Sequence, residues 1–245
     1  MISVCMAVYN GMPYIVDQIE SILPQLSPDD ELILSDDGSD DGTLQWVEGL
    51  GDARIKVFSN DGRKGPVGNF ENAILASSGD YIFLCDQDDV WVSNKVSVMV
   101  GALKECVLVV SDCTIVDKDG VVIGDSFFRS RGSGPGLVNN LWRNSYLGCC
   151  MAFRRELIDF ALPFPGGIHM HDWWLGLCAE LLGRVDFLER KLIMYRRHGA
   201  NASETWNGSE NSVAEKLRRR ISVLWPLASL YFDFRFKGRG DFAKR

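Results

Sequence analysis

Over the first hundred positions, short apolar runs alternate with stretches in which apolar residues recur every three or four places. Residues 2–8 are apolar with Ser3 and Cys5 interleaved, and Tyr9-Asn10-Gly11-Met12-Pro13 breaks the run. Ile15, Ile19, Ile22, Leu23 and Leu26 then follow a helical period, predicting a helix over 14–26. The alternation continues with strands over 31–35, 55–58 and 81–85 and helices over 43–50 and 67–76. Repeated strand–helix units of this kind predict an α/β fold, with a mostly parallel central sheet flanked by helices through right-handed crossovers.

The second hundred residues are less periodic. A buried strand is expected over 106–111, and a hairpin from 114–116 and 121–123 around Asp117-Lys118-Asp119-Gly120. Residues 125–140, rich in Gly, Ser and Arg, predict a mobile loop. Strands over 147–153, 185–188 and 192–195 and a helix over 172–182 complete the body. Past residue 200 the pattern becomes a polar linker and then a basic, aromatic tail.

Composition sharpens this picture in two places. The formal net charge of −7 argues against nucleic acid as a partner. It conceals an asymmetry: residues 1–213 hold 17 Lys+Arg against 30 Asp+Glu, whereas 214–245 hold 9 against 3. The tail mixes these cations with Leu224, Trp225, Tyr231, Phe232, Phe234 and Phe236, a composition suited to an anionic membrane surface or to a helix docked on the body with its charges solvated. Pro226 is expected to kink or restart a helix there. The seven cysteines are odd in number and without repeated CxxC spacing, so neither a disulfide framework nor a zinc site is expected. No signal-peptide pattern or membrane-length apolar run is evident, which predicts a cytoplasmic protein, peripheral at most on the inner face of the plasma membrane.

The sharpest chemical feature is the abrupt end of the fourth strand. Tyr81-Ile82-Phe83-Leu84-Cys85 runs directly into Asp86-Gln87-Asp88-Asp89-Val90-Trp91, placing three carboxylates within four residues. Such charges repel unless a cation or hydrogen-bond donors compensate them, and oxygen ligands suit Mg²⁺ or Mn²⁺ shared with a phosphate. The first two strands end in Tyr9-Asn10 and in Asp36-Asp37-Gly38-Ser39. In a parallel sheet these carboxyl ends share one edge, where open α/β sheets bind ligands. Asp172, the acidic residue at the start of the expected 172–182 helix, reads either as a general base or as a helix cap.

Tyr9-Asn10, the Asp36–Thr43 block and Asp86-Gln87-Asp88-Asp89 occur in the order found in family 2 glycosyltransferases of the GT-A fold, which the chain resembles over roughly residues 1–200. Val90-Trp91 with Lys95, His171-Asp172-Trp173-Trp174 and 195–201 are similar to a bacterial branch that includes many rhamnosyltransferases. The resemblance implies a catalytic domain over 1–200, with a nucleotide-sugar half at about 1–105 and an acceptor half at about 106–200, followed by a linker and basic tail over 201–245.

It further implies that Ala7, Tyr9, Asn10, Asp36, Asp37, Asp86 and Gln87 line the site for a dTDP- or UDP-sugar. On the same basis Asp88, with His198, ligates a divalent Mg²⁺ or Mn²⁺, and Asp172 is the base of an inverting transfer to a glycan or lipid-linked glycan. Of the adjacent Trp173 and Trp174, one is expected in the core and the other in an acceptor pocket. Arg63 and Lys64 read as an exposed loop and His169 as a loop residue, while the cations around His198 suit either phosphate recognition or a solvated strand. Many relatives carry Glu-Asp where this chain has His171-Asp172. Two other classes are weighed. A haloacid-dehalogenase-type phosphatase would use Asp86 and Asp88, but its motif follows the first core strand rather than the fourth. A non-catalytic nucleotide-sugar binder would share the pocket without needing the base.

Overall fold

The computed structural model describes residues 1–199 and 213–237. The strands are β1 (Ile2–Val8), β2 (Glu31–Asp36), β3 (Ile55–Ser59), β4 (Tyr81–Asp86), β5 (Val90–Trp91), β6 (Leu108–Asp117), β7 (Val122–Gly124), β8 (Met151–Arg154) and β9 (Val185–Arg197). The helices are α1 (Tyr14–Ile22), α2 (Thr43–Gly49), α3 (Pro66–Ala76), α4 (Lys95–Ala102), α5 (Phe127–Arg131), α6 (Leu137–Trp142), α7 (Glu156–Ala161), α8 (His171–Leu182) and α9 (Val213–Lys237). One sheet runs β3-β2-β1-β4-β8-β6-β9-β5, with β7 paired to β6.

The sheet has two characters. β3, β2, β1 and β4 are parallel, as strand–helix alternation requires. From β4 onward it is mixed: β8 is antiparallel to both β4 and β6, while β6 and β9 are parallel. The mostly parallel expectation therefore holds for the first half alone. The central strands are buried on both faces, which is why Val4–Met6, Ile82–Cys85 and Leu108–Val110 carry continuous apolar sequence rather than alternation. Each fully buried Leu or Ile in such a layer contributes about 1.5–3 kcal/mol relative to exposure.

Several expectations are revised. α1 stops at Ile22 and tightens into a 3₁₀ turn at Leu23–Gln25, where Pro24 has no N–H to continue the ladder. The two short strands expected over 185–195 are a single strand, and the segments at 106–111 and 114–116 merge into β6, with register shifts against β9 absorbing the irregular stretch. Residues 125–140 contain α5 and α6 rather than an extended loop. Their anchors are buried polar groups: the Asp112 carboxylate accepts the Ser126 hydroxyl and the Phe128 N–H, and the Asn140 amide donates to the Gly134 and Gly136 carbonyls. The linker expected just past residue 200 falls outside the described residues. α9 runs through Pro226 as one helix. Among the described residues no helix is long and apolar enough to cross a membrane.

Candidate active site

The parallel register brings the three turns together. Ala7 lies opposite Asp86 and Val8 opposite Asp36, so the chain leaves β1, β2 and β4 at one edge. Asn10 adopts a left-handed backbone (φ 50°), which Asn tolerates better than most residues. Its side-chain oxygen accepts the Asp40 N–H, and its own N–H donates to the Ser39 hydroxyl, pinning the first turn to the second. Asp36 is spent on its own turn, accepting the Gly38 and Ser39 N–H groups and the Ser39 hydroxyl. The Asp37 carboxylate accepts from the Asn60 amide at 2.6 Å and the Gly65 N–H at 2.7 Å, with Lys64 Nζ at 3.9 Å. Arg63 reaches across to the Ile168 carbonyl.

Gln87 pairs with Tyr9 as a strand would. Its Oε1 accepts the Tyr9 N–H at 2.9 Å, and its Nε2 donates to the Tyr9 carbonyl at 2.9 Å. A Cβ at Gly11 would sit 2.9 Å from Gln87 Oε1, so this pairing requires glycine there. The Tyr9 side chain is left 58% exposed at the rim. From below, the buried Gln18 amide donates to the Asp86 carbonyl at 2.9 Å and to Cys85 Sγ at 2.7 Å.

The acidic turn divides its carboxylates. Asp88 Oδ2 lies 2.8 Å from His198 Nε2, and both side chains are largely buried. Asp89 is fully buried; its Oδ1 accepts the Arg196 N–H at 2.9 Å, while its Oδ2 has no hydrogen-bond partner. Burial and the neighbouring Asp88 carboxylate push the Asp89 carboxyl well up. Asp86 is raised to about 8 by burial, then by Asp88 and by Asp172. The last influence shows the α8 carboxylate within electrostatic reach of the β4 turn. Lys95 lies fully buried beneath, donating to the Cys149 carbonyl at 2.6 Å and sitting 4.4 Å from the Trp91 ring, with burial lowering its ammonium pKa.

Arg196 shows that the cations beside His198 are not equivalent. Its guanidinium turns inward, donating to the Asp88 carbonyl at 2.9 Å, the Lys118 carbonyl at 3.2 Å and the Asp17 carboxylate at 2.9 Å, and lies 4.8 Å from the Tyr14 ring. The same residue therefore holds the backbone of Asp88 and carries the strand that leads to His198, whose ring stacks on Tyr14 at 4.7 Å. The sequence motif signalled His198 but carried no sign of this clamp.

At the start of α8, Asp172 is 6% exposed and is not the cap; Met170 holds that position. Its carboxylate accepts the N–H groups of Trp173 and Gly148, yet burial dominates and raises its pKa to about 6. His171 is fully enclosed, stacked on Phe70 at 4.0 Å, with both ring nitrogens lacking hydrogen-bond partners, and burial lowers its pKa to about 3. Both tryptophans are internal. The Trp174 indole donates to the Ala161 carbonyl from the core, as expected of one of the pair. Trp173 is nearly as buried and donates to the Asn140 carbonyl, tying α6 to α8.

A divalent ion fits these donors. A carboxylate oxygen and an imidazole nitrogen stand together at Asp88 and His198, beside an unpartnered buried oxygen on Asp89. The ligand atoms of Asp86, Asp89 and Cys149 also lie within 4.8 Å of one another. Net negative charge packed this tightly is stabilised by a cation.

Residues 3–160 match Glycosyl transferase family 2, and the chain belongs to that family. It is a glycosyltransferase of the GT-A fold. A UDP-Glc:alpha-D-GlcNAc-diphosphoundecaprenol beta-1,3-glucosyltransferase of Escherichia coli is 28% identical over 95% of this chain and 90% of its own length. A dTDP-rhamnosyl transferase of Shigella flexneri is 28% identical over 81% of this chain and 75% of its own. Among solved structures, S. aureus TarS 1–349 in complex with UDP-GlcNAc superposes with a TM-score of 0.69 at 19% identity, covering 96% of this chain and 73% of that one. Glucosyl-3-phosphoglycerate synthase of Mycobacterium tuberculosis, with Mn²⁺, UDP and phosphoglyceric acid, gives 0.58 at 21% identity over 94% and 78%.

Proposed function

We propose that the protein moves one hexose, with inversion, from a UDP- or dTDP-sugar to a hydroxyl of a lipid-linked glycan or cell-surface polysaccharide precursor. The observation that carries this reading is Asp172: a buried carboxyl with its pKa raised to about 6, close enough to Asp86 to perturb it, on the same site as the Asp88–His198 pair. Such a group is ionised at neutral pH and still basic enough to take a proton. Asp172 accepts the proton of the acceptor hydroxyl as its oxygen bonds to the anomeric carbon. The bond from that carbon to the diphosphate oxygen breaks, and its electron pair leaves with the nucleoside diphosphate. Displacement in one step from the far side inverts the centre.

Asp88 and His198 would hold Mn²⁺ or Mg²⁺, whose role is to offset charge developing on the leaving diphosphate. Tyr9 and Asp37 would contact the nucleoside, and Asp86 the ribose or the ion's surroundings. The donor classes follow from relatives that use UDP-Glc and dTDP-rhamnose, and the acceptor class from the undecaprenol-linked substrate of the Escherichia coli enzyme. A peripheral position on an anionic membrane, through 214–245, brings the enzyme to such an acceptor.

The test is a thermal-shift panel of UDP-, dTDP- and GDP-sugars with Mn²⁺ or EDTA, followed by transfer from the stabilising donor to a short-chain lipid diphosphate GlcNAc. A metal-dependent shift with a pyrimidine donor and a new glycosidic product is expected. A shift without product under any acceptor would favour a nucleotide-sugar binder. Phosphate release from phosphomonoesters in place of transfer would favour the phosphatase.

A further inference from the structure

α9 is apolar on two opposite sides. Val223 and Leu227 are buried toward the body and Leu230 is half-buried, as a helix docked on α8 requires. At 3.6 residues per turn, Ile221, Trp225 and Phe232 share a stripe on the far side, flanked by Leu224 and Phe236. A docked amphipathic helix ordinarily turns polar residues outward. Here Trp225 is 81% exposed, Phe236 79%, and Ile221 and Phe232 58% each.

The exposed apolar surface adjoins a second one. Arg220 donates from its guanidinium to the Leu141 and Trp142 carbonyls and lies 4.7 Å from the Trp142 ring. Trp142 is 75% exposed and Val138, one helical turn earlier on α6, is 77% exposed. α6 is in turn joined to the residue after Asp172 by the Trp173–Asn140 hydrogen bond of 2.8 Å.

We propose that α6 and the outer face of α9 form one rigid surface that docks on an anionic lipid bilayer. The occupant follows from charge and residue type. Residues 214–245 carry nine Lys+Arg against three Asp+Glu on a chain that is otherwise acidic, and exposed Arg218 accompanies the aromatic stripe. Trp, Tyr and Phe favour the headgroup boundary, and each nearby cation adds attraction to an anionic leaflet. The surface reads as a shallow interfacial contact, since among the described residues no helix can span a bilayer. Its purpose rests on the transferase reading: a lipid-borne acceptor would meet a base whose position relative to the membrane is set through Trp173.

The experiment is vesicle co-sedimentation of the full chain with phosphatidylcholine alone or with added phosphatidylglycerol, for wild type, Trp142→Ser and the double variant Trp225→Ser/Phe232→Ser. Donor-induced thermal shift and sedimentation velocity are measured on the same proteins. Wild type should bind the anionic vesicles selectively, and each variant should lose about tenfold in partitioning with donor shifts unchanged. Absence of binding by wild type, or equal binding by all three, overturns the proposal. Self-association that the same substitutions abolish, without vesicle binding, also overturns it and makes the face a contact between copies. Loss of sugar transfer with vesicle binding intact would strike the transferase reading and leave the surface standing.

Discussion

Asp88 Oδ2 and His198 Nε2 stand 2.8 Å apart although 110 residues separate them in the chain. The β5–β9 pairing makes this possible, setting Val90 opposite Met194 just beyond the acidic turn. Replacing Asp88 with Ala should abolish metal-dependent donor binding, and His198→Ala should weaken Mn²⁺ affinity by about tenfold or more. Calorimetric titration of Mn²⁺ with UDP present checks both. Unchanged affinity in His198→Ala would remove it from the ligand set.

Arg196 should matter for metal binding without contacting the ion. Arg196→Met strips the hydrogen bonds to the Asp88 and Lys118 carbonyls and the ion pair to Asp17. Metal affinity should fall by about 10–100-fold, as is typical when groups orienting a ligand are lost. A merely structural role would lower Tm and leave the affinity of the folded fraction intact.

Asp172→Asn should keep donor binding and lose about 10²–10⁴-fold in kcat. In wild type the base must be ionised, so kcat should decline with an acid limb near pH 6, where burial places its pKa. Rate profiles from pH 5 to 8.5 check this. An acid limb that survives in Asp172→Asn would reassign it to another group.

His171 and Asp172 should pull stability in opposite directions. The Asp172 pKa is raised to about 6, so its contribution is full below the unfolded value near 4 and is lost as pH rises to 6. The His171 pKa is lowered to about 3, so the unfolded chain binds its proton first and stability is lost as pH falls below about 6.5. Asp172→Asn should therefore gain stability relative to wild type more at pH 7.5 than at pH 4.5, and His171→Phe the reverse. Each slope is on the order of 1 kcal/mol per pH unit within its window. Urea denaturation at the two pH values reads the signs.

The parts of this fold legible in the sequence are those whose pattern is local. β1 through β4 and their helices follow from short apolar runs and helical spacing, because parallel strands buried on both faces have no other composition available. The acidic turns were legible because three carboxylates within four residues repel unless a cation or donors compensate them. What escaped is non-local. Nothing in the 125–140 composition announces that Asp112 and Asn140 pin two helices there. The adjacent tryptophans gave no sign that both indole N–H groups find partners inside the fold, at Asn140 and Ala161. Arg196 and Arg197 look alike as letters, and only the closure of β9 against β5 and β6 turns the first one inward.

The double hydrogen bond between Gln87 and the Tyr9 backbone joins two turns that lie far apart in the chain. It fastens the rim proposed for the nucleoside to the turn proposed for the diphosphate, so the two keep one spacing. The amide of a single glutamine thus acts as a latch between the two ends of the proposed donor site.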